Sequence, residues 1–207
     1  MRNGSGTINY LEIAPLARGS PAAKRKGKDK TAMISDNLTK ALNEQVNAEI
    51  YSAYLYLSMS AYAENAGLKG VANWMYVQAR EEMAHAIHMY QYVLDRGASP
   101  VLTAIEAPDA AYTGVRDIFE KTAAHERIVT ERINNIATLA MAEHDHACYQ
   151  FIMWYVNEQV EEEASASDML NKLDMIGESK QYLLNLDQEL ATRVFNNPFP
   201  NDAKLGG

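Results

Sequence analysis

Residues 68–96 read LKGVANWMYVQAREEMAHAIHMYQYVLDR. Val71, Met75, Gln78, Glu82, His85 and Met89 recur at spacings of three and four, so all six share one face of a helix. Gly97 follows immediately, where a glycine closes a helix C-terminus. The stripe is unusual in its middle. A face that must be buried carries an amide, a carboxylate and an imidazole between Met75 and Met89.

The same grammar extends in both directions. Upstream, Ser35 is placed to cap a helix, and Leu38, Leu42, Val46, Glu49, Ala53, Tyr56 and Ser60 form its stripe up to Asn65-Ala66-Gly67. Downstream, residues 98–113 hold Pro100 and Pro108 and read as a long connection. Val115 to Glu143 is a third helix, His146 to Ile176 a fourth closed by Gly177, and Ser179 to Phe195 a shorter fifth. Pro198 and Pro200 begin a tail. Four helices of about 28–30 residues would each span about 42–45 Å. Amphipathic helices of matched length bury their stripes against one another. The predicted fold is therefore all-α: a four-helix bundle with one long crossover between the second and third helices and a short fifth helix.

Composition agrees. The chain has 207 residues, is 47% hydrophobic and 22% charged, and carries a formal charge of -8. This is a globular range, with no apolar run of the roughly 20 residues a membrane-spanning helix needs. The single cysteine, Cys148, leaves no internal disulfide and fits a reducing compartment, so the cytoplasm is the expected location. Residues 1–32 hold seven basic and two acidic residues (+5), while the remainder holds 12 basic and 25 acidic (-13). An acidic body suits cations better than nucleic acid. The expected organisation is a flexible basic extension over residues 1–34, a bundle domain over 35–196 and a tail over 197–207. Met33, just before the first helical pattern, offers an alternative start.

Every long helix places ionisable groups on or beside its stripe: Glu49 on the first, Glu81, Glu82 and His85 on the second, Glu126 on the third, Glu158, Gln159, Glu161, Glu162 and Glu163 on the fourth. Burying one carboxylate costs several kcal/mol, and burying several together adds mutual repulsion. A multivalent cation resolves both. Glu82 and His85, three residues apart, can aim an oxygen and a nitrogen at one point, a donor set that suits iron or manganese, with zinc possible. The opposing reading is a set of solvated acidic faces, and a lone Glu-x-x-His arises often by chance. Contributions from all four helices of one bundle weigh against it. Glu163 reads as exposed. His88, His125, His144 and His146 read as surface or loop residues, and Met59, Met75, Met83, Met89 and Met153 as core filling.

Three segments carry a family resemblance: Asn43 to Tyr56 (NEQVNAEIYSAYLY), Glu81 to His85 (EEMAH) and Phe151 to Glu163 (FIMWYVNEQVEEE). They resemble prokaryotic non-haem ferritins over about Ile34 to Arg193. The resemblance implies an iron-storage protein that oxidises Fe(II) to Fe(III) with dioxygen or hydrogen peroxide at a di-iron centre within each subunit. It implies Glu49, Glu82 and His85 at the first iron and Glu82 bridging to a second completed by Glu126 and Glu162, with Gln159 alongside. It further implies Glu81, Glu158, Glu161 and Glu162 at a third, and Tyr56 as electron donor and hydrogen-bond partner of Glu82. The fourth helix offers Glu158-Gln159-Val160-Glu161 in place of a second Glu-x-x-His, which should weaken the second iron and let oxidised iron move on to storage. Met83 occupies the place of a haem-binding methionine in bacterioferritins, but haem is not expected. The resemblance also implies a homo-oligomeric cage of 24 subunits, with Leu186 and Leu190 of the fifth helix packing against neighbouring subunits. The alternatives are a non-storing di-iron peroxidase or oxidase and a DNA-associated mini-ferritin. The first often carries a Cys-x-x-Cys module, which this chain lacks. The second builds its sites between subunits and has no fifth helix. Neither a membrane nor nucleic acid is an expected partner.

Overall fold

The computed structural model describes residues 33–200. The predicted basic extension before Met33 and the tail beyond Pro200 lie outside the described residues. The elements are α1 (Asp36–Asn65), α2 (Lys69–Asp95), α3 (Val115–Ala142), α4 (His146–Ile176) and α5 (Lys180–Leu190). The fold is all-α, a four-helix bundle with one long crossover and a short fifth helix. Helix α1 packs chiefly on α2, and α3 on α4. Residues 96–114 form the crossover without a helix of their own.

The helix ends obey local chemistry. Ser35 caps α1, its side chain accepting from the Leu38 N–H at 3.1 Å. Asp145 caps α4 through the Cys148 N–H at 2.9 Å and also pairs with Arg96 at 2.8 Å, tying the end of α2 to the start of α4. Gly97 takes φ +78°, the left-handed region that lets α2 turn sharply into the crossover.

The core is layered. One apolar cluster gathers Tyr56, Met59, Met75, Trp74, Phe119 and Leu173. A second gathers Leu38, Leu42, Val46, Met89, Ile133 and Ile152. Fully burying each aliphatic side chain is worth about 1.5–3 kcal/mol. Between the clusters on all four long helices lies a buried polar belt: Gln45, Glu49 and Ser52 on α1, Gln78, Glu82 and His85 on α2, Thr122 and Glu126 on α3, Gln159 and Glu162 on α4. Met59, Met75 and Met89 fill the core as expected. Met83 instead faces outward. Among the described residues no helix is long and apolar enough to cross a membrane.

Helix α5 departs from the expected Ser179–Phe195. It stops at Leu190, where the Thr192 and Arg193 N–H groups turn back to the Glu189 and Leu190 carbonyls. Asn73 of α2 donates to the Leu190, Ala191 and Arg193 carbonyls at 3.3, 3.4 and 3.0 Å, so those acceptors serve α2 instead of a longer helix. Leu186 and Leu190 are also corrected: both are buried within their own subunit, in the cluster with Val71 and Trp74. The apolar residues α5 and its exit leave exposed are Tyr182, Leu184 and Val194. Gly70 makes this docking possible. A Cβ there would stand 1.6 Å from the Asp187 carbonyl oxygen.

Candidate metal centre

The belt's centre is a convergence of α1 and α2. Glu49, Glu82 and His85 each offer a ligand atom within 4.8 Å of the others, and all three are buried. The His85 Nδ1 lies 3.3 Å from Glu82 Oε2. Among the described residues His85 Nε2 is buried with no hydrogen-bond partner, and Glu158 lies 3.9 Å from it. A buried imidazole nitrogen left unpaired costs free energy unless something else binds there.

The remaining predicted residues surround this trio. Glu126 accepts from Tyr56 and from the Gln159 amide at 3.1 Å, and Gln159 also donates to the Glu126 carbonyl and to Thr130. Glu162 accepts from the Gln78 amide at 2.7 Å, and the same amide reaches Glu82 at 3.3 Å. Glu81 is ion-paired with Arg193. Glu158 is partly buried near His85, and Glu161 is exposed. Among the described residues Glu81, Glu158, Glu161 and Glu162 are not drawn into one metal-sized group.

Electrostatics mark the belt as short of positive charge. Burial, and then the neighbouring Glu82 carboxylate, push Glu49 well above the ordinary carboxylate range. Burial, then Glu126 and Glu162, do the same to Glu82. Glu162 is pushed up to about 8, by burial first and Glu126 next, against the opposing Gln78 bond. Burial raises Glu126, with Tyr56 and Gln159 pulling the other way. Burial and mutual repulsion thus favour the protonated carboxyls, and a cation can take the protons' place. Oxygen donors with one imidazole suit a hard or borderline metal such as iron.

Four details differ from expectation. Tyr56 donates to Glu126, not Glu82, because Glu126 faces it across the α1–α3 contact while the Gln78 amide serves Glu82. His125 is largely buried, 2.7 Å from Ser52 Oγ, and burial followed by Arg132 holds its pKa down at about 4. His88 is partly buried, stacked at 3.7 Å on Phe199, a residue of the predicted tail. Glu163 is half-buried and accepts from Thr130 at 2.6 Å. His144 and His146 are exposed, as read.

Sequence reasoning also missed a supporting layer. Gln45 donates to Glu49 at 2.8 Å while its own carbonyl accepts from Arg132 at 3.0 Å. Gln78 donates to Glu82 and Glu162 while its carbonyl accepts from Arg193 at 2.8 Å. The signal available was Gln four residues before Glu on a buried stripe in both helices.

Comparison with known proteins is consistent throughout. Residues 39–176 match the model of the ferritin-like domain. A probable bacterial non-heme ferritin-like protein of Haemophilus influenzae is 39% identical over 158 residues, covering 76% of this chain and 96% of that protein. A bacterial non-heme ferritin of Staphylococcus epidermidis is 38% identical over 164 residues, covering 79% of this chain and 99% of that protein. Among solved structures, an open pore ferritin from the hyperthermophilic archaeon Archaeoglobus fulgidus superposes with a TM-score of 0.77 at 51% identity, covering 79% of this chain and 99% of that one.

Proposed function

The chain belongs to the ferritin family, and from that premise we propose that it oxidises Fe(II) at the buried belt and stores the product as ferric oxide within an oligomeric shell. The observation that carries this reading is the Glu49–Glu82–His85 trio, buried and converging within 4.8 Å inside one chain. A site complete within one subunit also counts against the mini-ferritin alternative, whose sites lie between subunits.

Fe(II) is the substrate. Glu49, Glu82 and His85 receive the first ion, and Glu82 turns toward a second received with Glu126 and Glu162. Two ions side by side can deliver an electron pair to dioxygen or hydrogen peroxide, which one Fe(II) cannot do alone. The anionic oxygens stabilise the ferric state. Burial favours the protonated forms of Glu49, Glu82 and Glu162, so iron entry displaces protons and part of the added charge is offset. Tyr56, hydrogen-bonded to Glu126, stands beside the second position as an electron donor. Helix α4 offers Glu158-Gln159-Val160-Glu161 where a second Glu-x-x-His would hold iron more firmly, and the Gln159 amide is engaged by Glu126 and Thr130. Product iron is thus free to leave. Glu81, Glu158, Glu161 and Glu162 are the residues of a third position. This assignment of roles is our reading, as are a cage of 24 copies, a cytoplasmic location, and the division into an extension (1–34), a domain (35–196) and a tail (197–207).

The test is stopped-flow Fe(II) oxidation by Glu82→Ala, paired with aerobic loading, size-exclusion chromatography and iron quantification. Loss of one residue that orients a metal ligand typically costs 10–100-fold in metal affinity or activity, so loss of the bridging ligand should slow the fast phase by about 100-fold or more. Oxidation at the unmodified rate would refute the site.

A further inference from the structure

The segment that leaves α5 runs along α2 and over the iron centre. Asn73 holds its first carbonyls. Arg193 then lies 4.4 Å from the Trp74 ring centroid, Phe195 sits under Arg80 at 4.1 Å, and Phe199 stacks on His88. Within this strap Arg193 makes two contacts that bear on the carboxylates. It donates to Gln78 Oε1 at 2.8 Å and is ion-paired with Glu81.

We propose that Arg193 is a positioning residue of the iron centre, orienting the Gln78 amide toward Glu82 and Glu162 and holding Glu81 away from the third iron position. The first half follows from donor chemistry. A guanidinium can only donate, so the Gln78 carbonyl is committed to Arg193 and its NH2 must face the two carboxylates. Among the described residues Arg193 is the donor to the Gln78 carbonyl, so its loss frees the amide to turn. The second half follows from charge. Glu81 and Arg193 are both mostly buried, at 18% and 26% side-chain exposure, so their pairing is screened less than a surface ion pair. A cation entering at Glu81 must displace the guanidinium or share a carboxylate with it. The strap therefore sets how many irons a subunit takes before turnover, and it couples that number to the docking of α5. This inference rests on the assignment of Glu81 to the third position.

Anaerobic titration calorimetry with Fe(II) on the assembled full-length protein tests it. The unmodified chain should show two tighter equivalents per subunit and a weaker third. Arg193→Gln should tighten the third by about tenfold, the worth of one hydrogen bond to a charged group. Arg193→Lys, which keeps the charge, should leave it weak. Adding Glu81→Gln to Arg193→Gln should abolish the gain. An unchanged third equivalent in Arg193→Gln overturns the proposal, as does a lysine variant that behaves like the glutamine one or a gain that survives loss of Glu81. Absence of the first two equivalents from the unmodified chain would instead count against the ferroxidase reading itself.

Discussion

Replacing Gly70 with alanine would test how α5 is held. The added Cβ would stand 1.6 Å from the Asp187 carbonyl oxygen, 2.5 Å from its carbon and 2.9 Å from the Ala191 nitrogen. All three are backbone atoms, so no side chain can swing aside. Either α2 distorts or α5 leaves. Distorting α2 would disturb Trp74, Met75 and Gln78 just beyond it, whereas releasing α5 forfeits a bounded set of contacts. Those include the burial of Leu186 and Leu190, the Val71 N–H bond to Asp187 at 2.9 Å, the Asn73 bonds and the Arg193 contacts with Gln78 and Glu81. Two buried leucines are worth about 3–6 kcal/mol, and each hydrogen bond about 1 kcal/mol more. The cost is capped there, because the four long helices can persist without α5. Alanine's better helix propensity returns no more than about 1 kcal/mol. The expected outcome is a bundle that keeps its helices while residues 179–199 become accessible. Trypsin should then cut after Lys180 and Arg193 under conditions where the unmodified chain resists, and the melting transition should move down. A variant equally resistant to trypsin and melting at the unmodified temperature would refute the packing of α5 on α2.

Three other outcomes follow from the same structure. Glu161→Ala should leave the fast phase of Fe(II) oxidation within about twofold, because a surface substitution of this kind perturbs folding by no more than about 0.5 kcal/mol. Its effect should appear instead as a changed iron-to-oxygen ratio, measured with an oxygen electrode. The metal-free protein should lose stability as pH rises from about 5 to 8: Glu162, with a folded value of about 8 against an ordinary 4.5, binds more protons folded than unfolded in that window, and Glu49 and Glu82 shift the same way. Calorimetric melting temperatures that rise across the window would contradict the sign, and Fe(II) added without oxygen should stabilise more at the higher pH. Leu184→Asp together with Tyr182→Asp should weaken assembly in analytical ultracentrifugation with little change in the subunit's melting, whereas Leu186→Asp should unfold α5 from its own subunit.

The Glu82–His85 pair and its helix were legible because both are local. Val71, Met75, Gln78, Glu82, His85 and Met89 lie within 19 residues, and helical periodicity alone places them on one face. Lengths of 30, 27, 28 and 31 residues then leave few ways to bury four stripes. The length of α5 was misread for the converse reason. Val194 and Phe195 continue a helical pattern, but the carbonyls at Leu190, Ala191 and Arg193 belong to Asn73, more than 100 residues away. Tyr56 was paired with the wrong carboxylate because the choice between Glu82 and Glu126 depends on how α3 rotates against α1, which periodicity does not specify.

The supporting layer occupies an intermediate position. A buried glutamine four residues before a buried glutamate can donate its NH2 to that carboxylate, as Gln45 does to Glu49 and Gln78 to Glu82. An ionised carboxylate only accepts, so the amide oxygen is then left facing away from it and needs a donor of its own. Two such glutamines in one belt of excess negative charge therefore require two donors from outside the stripe, and a cation serves the belt better than a neutral group. The requirement is readable from residues 45–49 and 78–82 alone. Its solutions, Arg132 on α3 and Arg193 beyond α5, lie 87 and 115 residues from their glutamines. What the helices determine locally is the set of carboxylates that meet. How those carboxylates are turned depends on arginines at the far end of an amide, and the two arginines differ in consequence: Arg132 reaches Glu49 through Gln45, while Arg193 reaches Glu82 and Glu162 through Gln78 and also pairs directly with Glu81.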